Sequence, residues 1–206
     1  MMLKKLFTAL NLIFLLVLTI CFFRTNPLNA AELSADVVRT VGQEVINGRI
    51  YIKGDNFRQE MFMGGKKQVM IYRKDKQMAW ILMPENKMYM ETPTNACDQN
   101  MPQTDQEQIE NKANKKYLGK EKVNGYVCEK YLYVYHNKST GSMTQWFSKK
   151  LNFPIKMDFD SSSGHMITEY KNIEVKALPD SLFEIPSGYR KMSLPGMMQQ
   201  MPDMNR

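Results

Sequence analysis

Between Arg49 and Thr92, short runs rich in Ile, Val, Met, Tyr, Phe and Trp are separated by turn-forming groups, beginning with Asn47-Gly48 just ahead of the stretch. The others are Gly54-Asp55-Asn56, Gly64-Gly65, Lys74-Asp75 and Pro84-Glu85-Asn86. Each run is long enough for one strand and too short for a core helix. Asn-Gly and Gly-Gly accept positive φ at both central positions, the geometry whose twist suits a two-residue hairpin. The stretch therefore predicts an antiparallel meander. Its densest run, Met78-Ala79-Trp80-Ile81-Leu82-Met83, is apolar on both faces, whereas a sheet with one wetted face alternates. Either something covers the second face, or that face receives something apolar.

The first thirty residues read as a secretory signal. Lys4 and Lys5 precede an apolar run from Leu6 to Phe23, and Leu28-Asn29-Ala30 ends on a small residue suited to cleavage. The run is also near the lower limit, roughly 17 to 25 residues, for a spanning helix, so an uncleaved anchor is the alternative. Leu18-Thr19-Ile20-Cys21 has the outline of a lipoprotein box, with Ile20 large for its slot. Removal of Lys4, Lys5 and Arg24 lowers the net charge from +7 to +4. Acids are interspersed with the remaining bases, unlike the clustered stripe of a nucleic-acid binder. Cys97 and Cys128 remain. In an oxidising compartment they predict one disulfide, closing a loop of about thirty residues and stabilising the fold by roughly 3 to 4 kcal/mol. A metal site is the rival, without the Cys-x-x-Cys spacing such sites use.

The expected order begins with a strand over Val37 to Ile46 that turns at Asn47-Gly48 into Arg49 to Lys53. Strands follow over Phe57 to Met63, Lys67 to Arg73, Met78 to Met83 and Lys87 to Thr92. From Thr94 to Lys116 hydrophobics give way to polar residues. Thr104 with Glu107 forms a capping box, so a polar helical insert is expected over about 103–117, with a disordered insert as the alternative. Val123-Asn124-Gly125-Tyr126 is a second hairpin signal. Tyr126 to His136, Ser142 to Ser148, Phe153 to Phe159 and His165 to Val175 complete about ten or eleven strands in one domain, 31–190. The segment 191–206, rich in Met and Pro, reads as a flexible tail.

Catalytic motifs are missing: there is no nucleophile elbow, phosphate loop, dinucleotide fingerprint or His-Glu-x-x-His. A Cys128 and His136 dyad would sit some 26 Å apart along one strand at about 3.3 Å per residue. No enzyme activity and no cofactor are expected. The anomaly is methionine, eighteen in 206 residues. Its flexible, polarizable side chain suits a surface that accepts apolar partners of variable shape, although any single one reads first as core, and only the cluster as a whole balances the two readings. Thioethers also bind Cu(I), so Met197, Met198, Met201 and Met204 offer a copper-binding alternative.

Several motifs carry a resemblance: Met63 to Lys66, Trp80 to Glu85, Tyr89-Met90-Glu91, Val123 to Tyr131, Thr144-Gln145-Trp146 and Leu182 to Tyr189. Together they resemble an uncharacterised family of exported bacterial proteins, similar in turn to the periplasmic lipoprotein carriers LolA and LolB. The resemblance implies a curved antiparallel sheet forming a half-open barrel, with an apolar concave face that in the carriers holds lipoprotein acyl chains. The carriers close that face with several amphipathic helices; this chain offers one polar helix, and no carrier residue role transfers to it. The resulting expectation is an exported, mainly β protein that holds a lipid or lipoprotein acyl chain in a groove. The expected lining or underlying core is Ile52, Met61, Met63, Met70, Tyr72, Met78, Trp80, Leu82 and Trp146. An envelope structural or interaction module is the alternative. Nucleic acid is not an expected partner, and the membrane is expected to be met only through the signal or the ligand.

Overall fold

A computed structural model describes residues 32–94 and 106–192. The strands are β1 (Leu33–Val41), β2 (Glu44–Lys53), β3 (Asn56–Met63), β4 (Lys66–Arg73), β5 (Met78–Met83) and β6 (Met88–Pro93). After a short helix α1 (Gln106–Glu110) come β7 (Ala113–Val123), β8 (Tyr126–Tyr135), β9 (Ser142–Ser148), β10 (Phe153–Ser161), β11 (Gly164–Val175) and the two-residue β12 (Arg190–Lys191). All twelve join one curved, open sheet in the order β12-β6-β5-β4-β3-β2-β1-β11-β10-β9-β8-β7, the half-open barrel that the sequence leads one to expect. The pairing of β1 with β11 is the seam between two meanders, and β12 joins β6 in parallel. The curl brings the β7–β8 turn back to β11. There Asn124 Nδ2 donates to the Tyr170 carbonyl at 2.9 Å, and the Tyr126 hydroxyl donates to the Ile173 carbonyl at 3.4 Å.

Most hairpins stand where turn chemistry puts them. Gly64 and Gly65 have φ of 56° and 75°, and Asn124 and Gly125 have 48° and 87°, both pairs linking strands through two residues. Asn47-Gly48 does not turn. The chain turns earlier, at Gly42-Gln43, and Gly48 lies inside β2 opposite Val37 and Met61. A Cβ on Gly48 would stand 2.2 Å from the Glu60 carbonyl oxygen and 2.5 Å from Met61 Sδ. The glycine is there for close approach, the second meaning that glycine has in a strand.

The expected helix over 103–117 is also corrected. Within the described residues the helix covers Gln106–Glu110, and Ala113 to Tyr117 already belong to β7. This strand sits at the sheet edge with nearly every residue exposed, so it needs no apolar alternation, and its lysines disfavour edge-to-edge pairing. A polar, Lys-rich edge strand carries the same composition as a solvated helix. The opposite edge, β6, is capped by β12. Expected features at 1–31, 95–105 and 193–206, among them the signal segment, Cys97 and the methionine tail, lie outside the described residues.

Two apolar clusters lie on opposite faces. The larger, inner one gathers Leu33, Val37, Ile50, Phe57, Met61, Tyr72, Tyr133, Met143, Phe153, Ile155, Met157 and Tyr170. The outer one joins Val69, Ile71, Trp80 and Leu82 to Leu178 and Phe183, with Tyr51, Met78, Tyr89, Leu182, Ile185 and Tyr189 packed around them. The apolar second face of Met78–Met83 is therefore covered by the chain's own segment Leu178–Tyr189. Polar bonds clamp that cover in place. Lys53 donates to the Leu178 carbonyl at 2.7 Å, Arg58 to the Leu182 carbonyl at 3.0 Å and Arg73 to the Phe183 carbonyl at 3.1 Å. Lys53 pairs with Asp180 at 2.8 Å, Lys76 with Glu184 at 2.9 Å, and Arg73 also meets Glu184.

Phe183, 1 % exposed, is the centre of this cover. Phe183→Ala is expected to destabilise the protein by about 3 to 5 kcal/mol in a urea titration. Lys76 and Arg73 hold the Glu184 carboxyl below its ordinary range, and Lys53 does the same for Asp180. Because both values are depressed on folding, their contribution is present at neutral pH and lost as pH falls through the depressed values. Amide exchange should accordingly show residues 178–190 losing protection as pH falls below the ordinary carboxyl values of 4.5 and 3.8, before the strands β8 to β10 do.

Candidate functional site

With the outer face of β4 and β5 covered, the inner side of β3 to β6 carries a second set of apolar side chains. Residues directly paired across antiparallel strands share a face. The pairs Ile50 with Gln59, Gln59 with Met70, Met70 with Ile81, and Ile81 with Met90 draw one row along the inner side. Met83 and Met88, two residues from Ile81 and Met90 on the same strands, form a neighbouring pair. Ile81, Met83, Met88 and Met90 are half-buried and belong to neither apolar cluster. They form a thioether-rich patch at the β6 end of the trough.

The nine residues expected at the groove do not form one surface. Ile52, Met61, Met70 and Tyr72 lie in or against the inner cluster. Met78, Trp80 and Leu82 stand on the outer face beneath the C-terminal segment, since alternation sends them opposite to Ala79 and Ile81. The Trp80 indole Nε1 donates to Glu91 Oε1 at 3.3 Å, and Lys76 lies 5.2 Å from its ring centroid. Trp146 is 6 % exposed and belongs to the larger cluster, yet alternation sends it opposite to Gln145, to the side of its paired neighbours Lys130 and Lys156, whose ammonium groups lie over its ring, and its Nε1 donates to Glu121 at 2.9 Å. Met63 belongs to β3; its side chain lies outside the described residues. Met83, Met88 and Met90 were visible in the sequence as methionines, but only register assigns them to the inner side.

The second half of the trough carries more polar atoms. Pairing draws a continuous row from Ile46 through Arg39, Thr168, Met157, Gln145 and Tyr131 to Tyr117. Arg39 shares its side of β1 with Val37 and Val41, two residues away in each direction, which places a cation on the inner face. Arg39 Nε is buried without a hydrogen-bond partner; leaving such a donor unmet costs about 1 to 3 kcal/mol, more when it is charged. Its charge is felt at Tyr170, whose hydroxyl burial pushes well above the usual tyrosine value while Arg39 opposes the shift. Further along, Tyr117 and Tyr131 stack at 5.5 Å, and the Lys115 ammonium lies 4.1 Å over Tyr131 while pairing with Glu110 at 2.6 Å. Burial and the Glu129 carboxylate, which accepts from the Tyr131 hydroxyl, raise Tyr131 to about 12.

A cavity of about 620 Å³ among the described residues lies at the turn end of the sheet, lined by Glu32, Lys53, Gly54, Asp55, Asn56, Lys74 and Asp75. Its lining residues are polar or charged apart from Gly54, and none of them is among the nine expected. Cys128 is a free, fully buried thiol, raised to about 11 by burial; its expected partner, Cys97, lies outside the described residues. No cluster of three or more His, Cys, Asp or Glu among the described residues could hold a metal ion. No helix among them is long and apolar enough to cross a membrane.

Comparison with known proteins matches residues 40–152 and 136–189 to a family described as Domain of unknown function (DUF4412). The chain belongs to this family. Among curated proteins none matches. In fold, this DUF4412 protein is similar to an uncharacterized conserved protein from Thermus thermophilus, at 12 % identity and a TM-score of 0.59, over 79 % of this chain and 90 % of that one. It is also similar to the MucA/MucB complex structure from Pseudomonas aeruginosa, at 12 % identity and a TM-score of 0.52, over 75 % of this chain and 56 % of that one. A LolA superfamily protein from Nitrosomonas europaea matches at 12 % identity and a TM-score of 0.36, over 77 % of this chain and 91 % of that one.

Proposed function

We propose that this chain is an exported binding protein whose inner face holds an apolar ligand, a lipid or lipoprotein acyl chain. The observation that carries this reading is the asymmetry between the faces. The outer apolar face is roofed by Leu178 to Tyr189, whereas Ile81, Met83, Met88 and Met90 on the inner side belong to neither core cluster. Binding there would work by burial: at about 25 cal/mol per Å², hiding a few hundred Å² of acyl chain contributes several kcal/mol without directed polar contacts. Methionine side chains adjust to chains of different length and branching, which supports a carrier or holder over a site of fixed shape.

The experiment is lipid extraction from the purified full-length protein, followed by titration with a fluorescent fatty acid. Ile81→Glu is expected to abolish uptake with little change in thermal stability. Leu82→Glu, on the outer face, is expected to lower stability by forcing a charge beneath the C-terminal cover. Protein free of lipid that takes up none of the probe would sink the reading.

A further inference from the structure

Of the two charged residues on β1, Asp36 is used by the fold, accepting from Arg49 at 2.8 Å and from Asn172 at 2.8 Å on the outer side. Arg39 is not. The neighbouring sheet arginines Arg49, Arg58 and Arg73 each hold a carboxylate. Among the described residues the Arg39 side chain holds none, although it projects onto the inner face between Ile46 and Thr168 and close to Tyr170. Nε is sealed from solvent while the residue as a whole is half-buried, so the Nη groups remain the donors available to an incoming molecule. A half-buried cation with a sealed, unmet Nε and no counter-ion keeps part of its desolvation cost in the folded state, and a carboxylate brought into the trough would relieve it.

We propose that Arg39 anchors the head group of a single-chain amphiphile ending in a carboxylate, with the chain running across β2 to β5 toward the methionine patch. This rests on the reading of the inner face as an apolar-ligand site. The planar guanidinium matches a carboxylate as a two-point partner. One cation also matches one negative charge: Ile46, Val37, Met157, Thr168 and Tyr170 around it are uncharged, Glu44 opposite Val41 on the same face makes no ion pair with it among the described residues, and Lys115 further along is already held by Glu110. A dianionic phosphate head would keep an unpaired charge on this surface. Five strand spacings of about 4.8 Å separate β1 from β6, so head and tail contacts lie roughly 24 Å apart along the sheet, a separation that calls for a long chain.

The test uses the delipidated full-length protein titrated with pyrene-labelled hexadecanoic acid, its methyl ester, and the corresponding alkyl phosphate. The wild type should bind the acid about 10-fold more tightly than the ester, the factor expected for one charged hydrogen-bonded pair. Arg39→Leu should bind acid and ester equally, with ester affinity unchanged, and Arg39→Lys should keep part of the preference. The ligand-free Arg39→Leu protein should melt no lower than the wild type, since the substitution removes an unpaired cation; a lower Tm would make Arg39 a structural residue and overturn the proposal. Equal binding of acid and ester by the wild type overturns the head-group site while leaving the apolar trough standing. Preference for the phosphate overturns the carboxylate assignment, and failure to bind any of the three overturns both readings.

Discussion

Alternation along a strand assigns every residue to one of two faces, and β4 and β5 are apolar on both. Val69, Ile71, Trp80 and Leu82 point one way, Met70, Tyr72, Ala79 and Ile81 the other. A single sheet cannot bury both sides by itself. The chain resolves one side by returning after β11 and laying Leu178, Leu182, Phe183, Ile185 and Tyr189 across it, held by Lys53, Arg58 and Arg73 through backbone carbonyls. The other apolar set of β4 and β5 is thereby directed inward, to the side on which the larger cluster lies.

The curl answers the same need for burial. Twelve strands in a flat array would leave two long edges and an unfilled interior. Bending brings Asn124 and Tyr126 on the β7–β8 hairpin against β11, which lets Phe153 stack edge-on with Tyr170 at 4.8 Å and closes one half of the inner core. The edges that remain are managed differently. β12 covers β6 with two residues, and β7 relies on its lysines. Gly48 permits close packing where β2 passes between Val37 and Met61.

Within this frame the two halves of the trough differ in chemistry. The β3 to β6 side offers adaptable thioethers and almost no charge. The β7 to β11 side offers tyrosines, buried Thr168 and Gln145, and, at its seam with β1, the unmatched cation of Arg39. Arg39 stands half-buried on that face between buried Val37 and exposed Val41, with its Nε sealed and unmet. The division suits a molecule with one polar end.

Much of the fold was legible in the chain itself. Strands β3, β4, β5, β8, β9, β10 and β11 fall where apolar runs and turn residues put them, because pleat alternation and positive-φ turns are local properties. Two local signals misled. Asn47-Gly48 has the chemistry of a turn but serves a close approach, and Lys-rich β7 has the composition of a solvated helix, because an edge strand has no buried face to reveal its period. Assignment of the candidate site needed tertiary structure. Sequence alternation separates Trp80 and Leu82 from Ile81, yet which set faces the trough depends on where Phe183 returns, a contact between residues about a hundred positions apart. For the same reason Arg39 reads in sequence as an ordinary charged residue in a strand, and only the pairing of β1 with β2 and β11 places it inside.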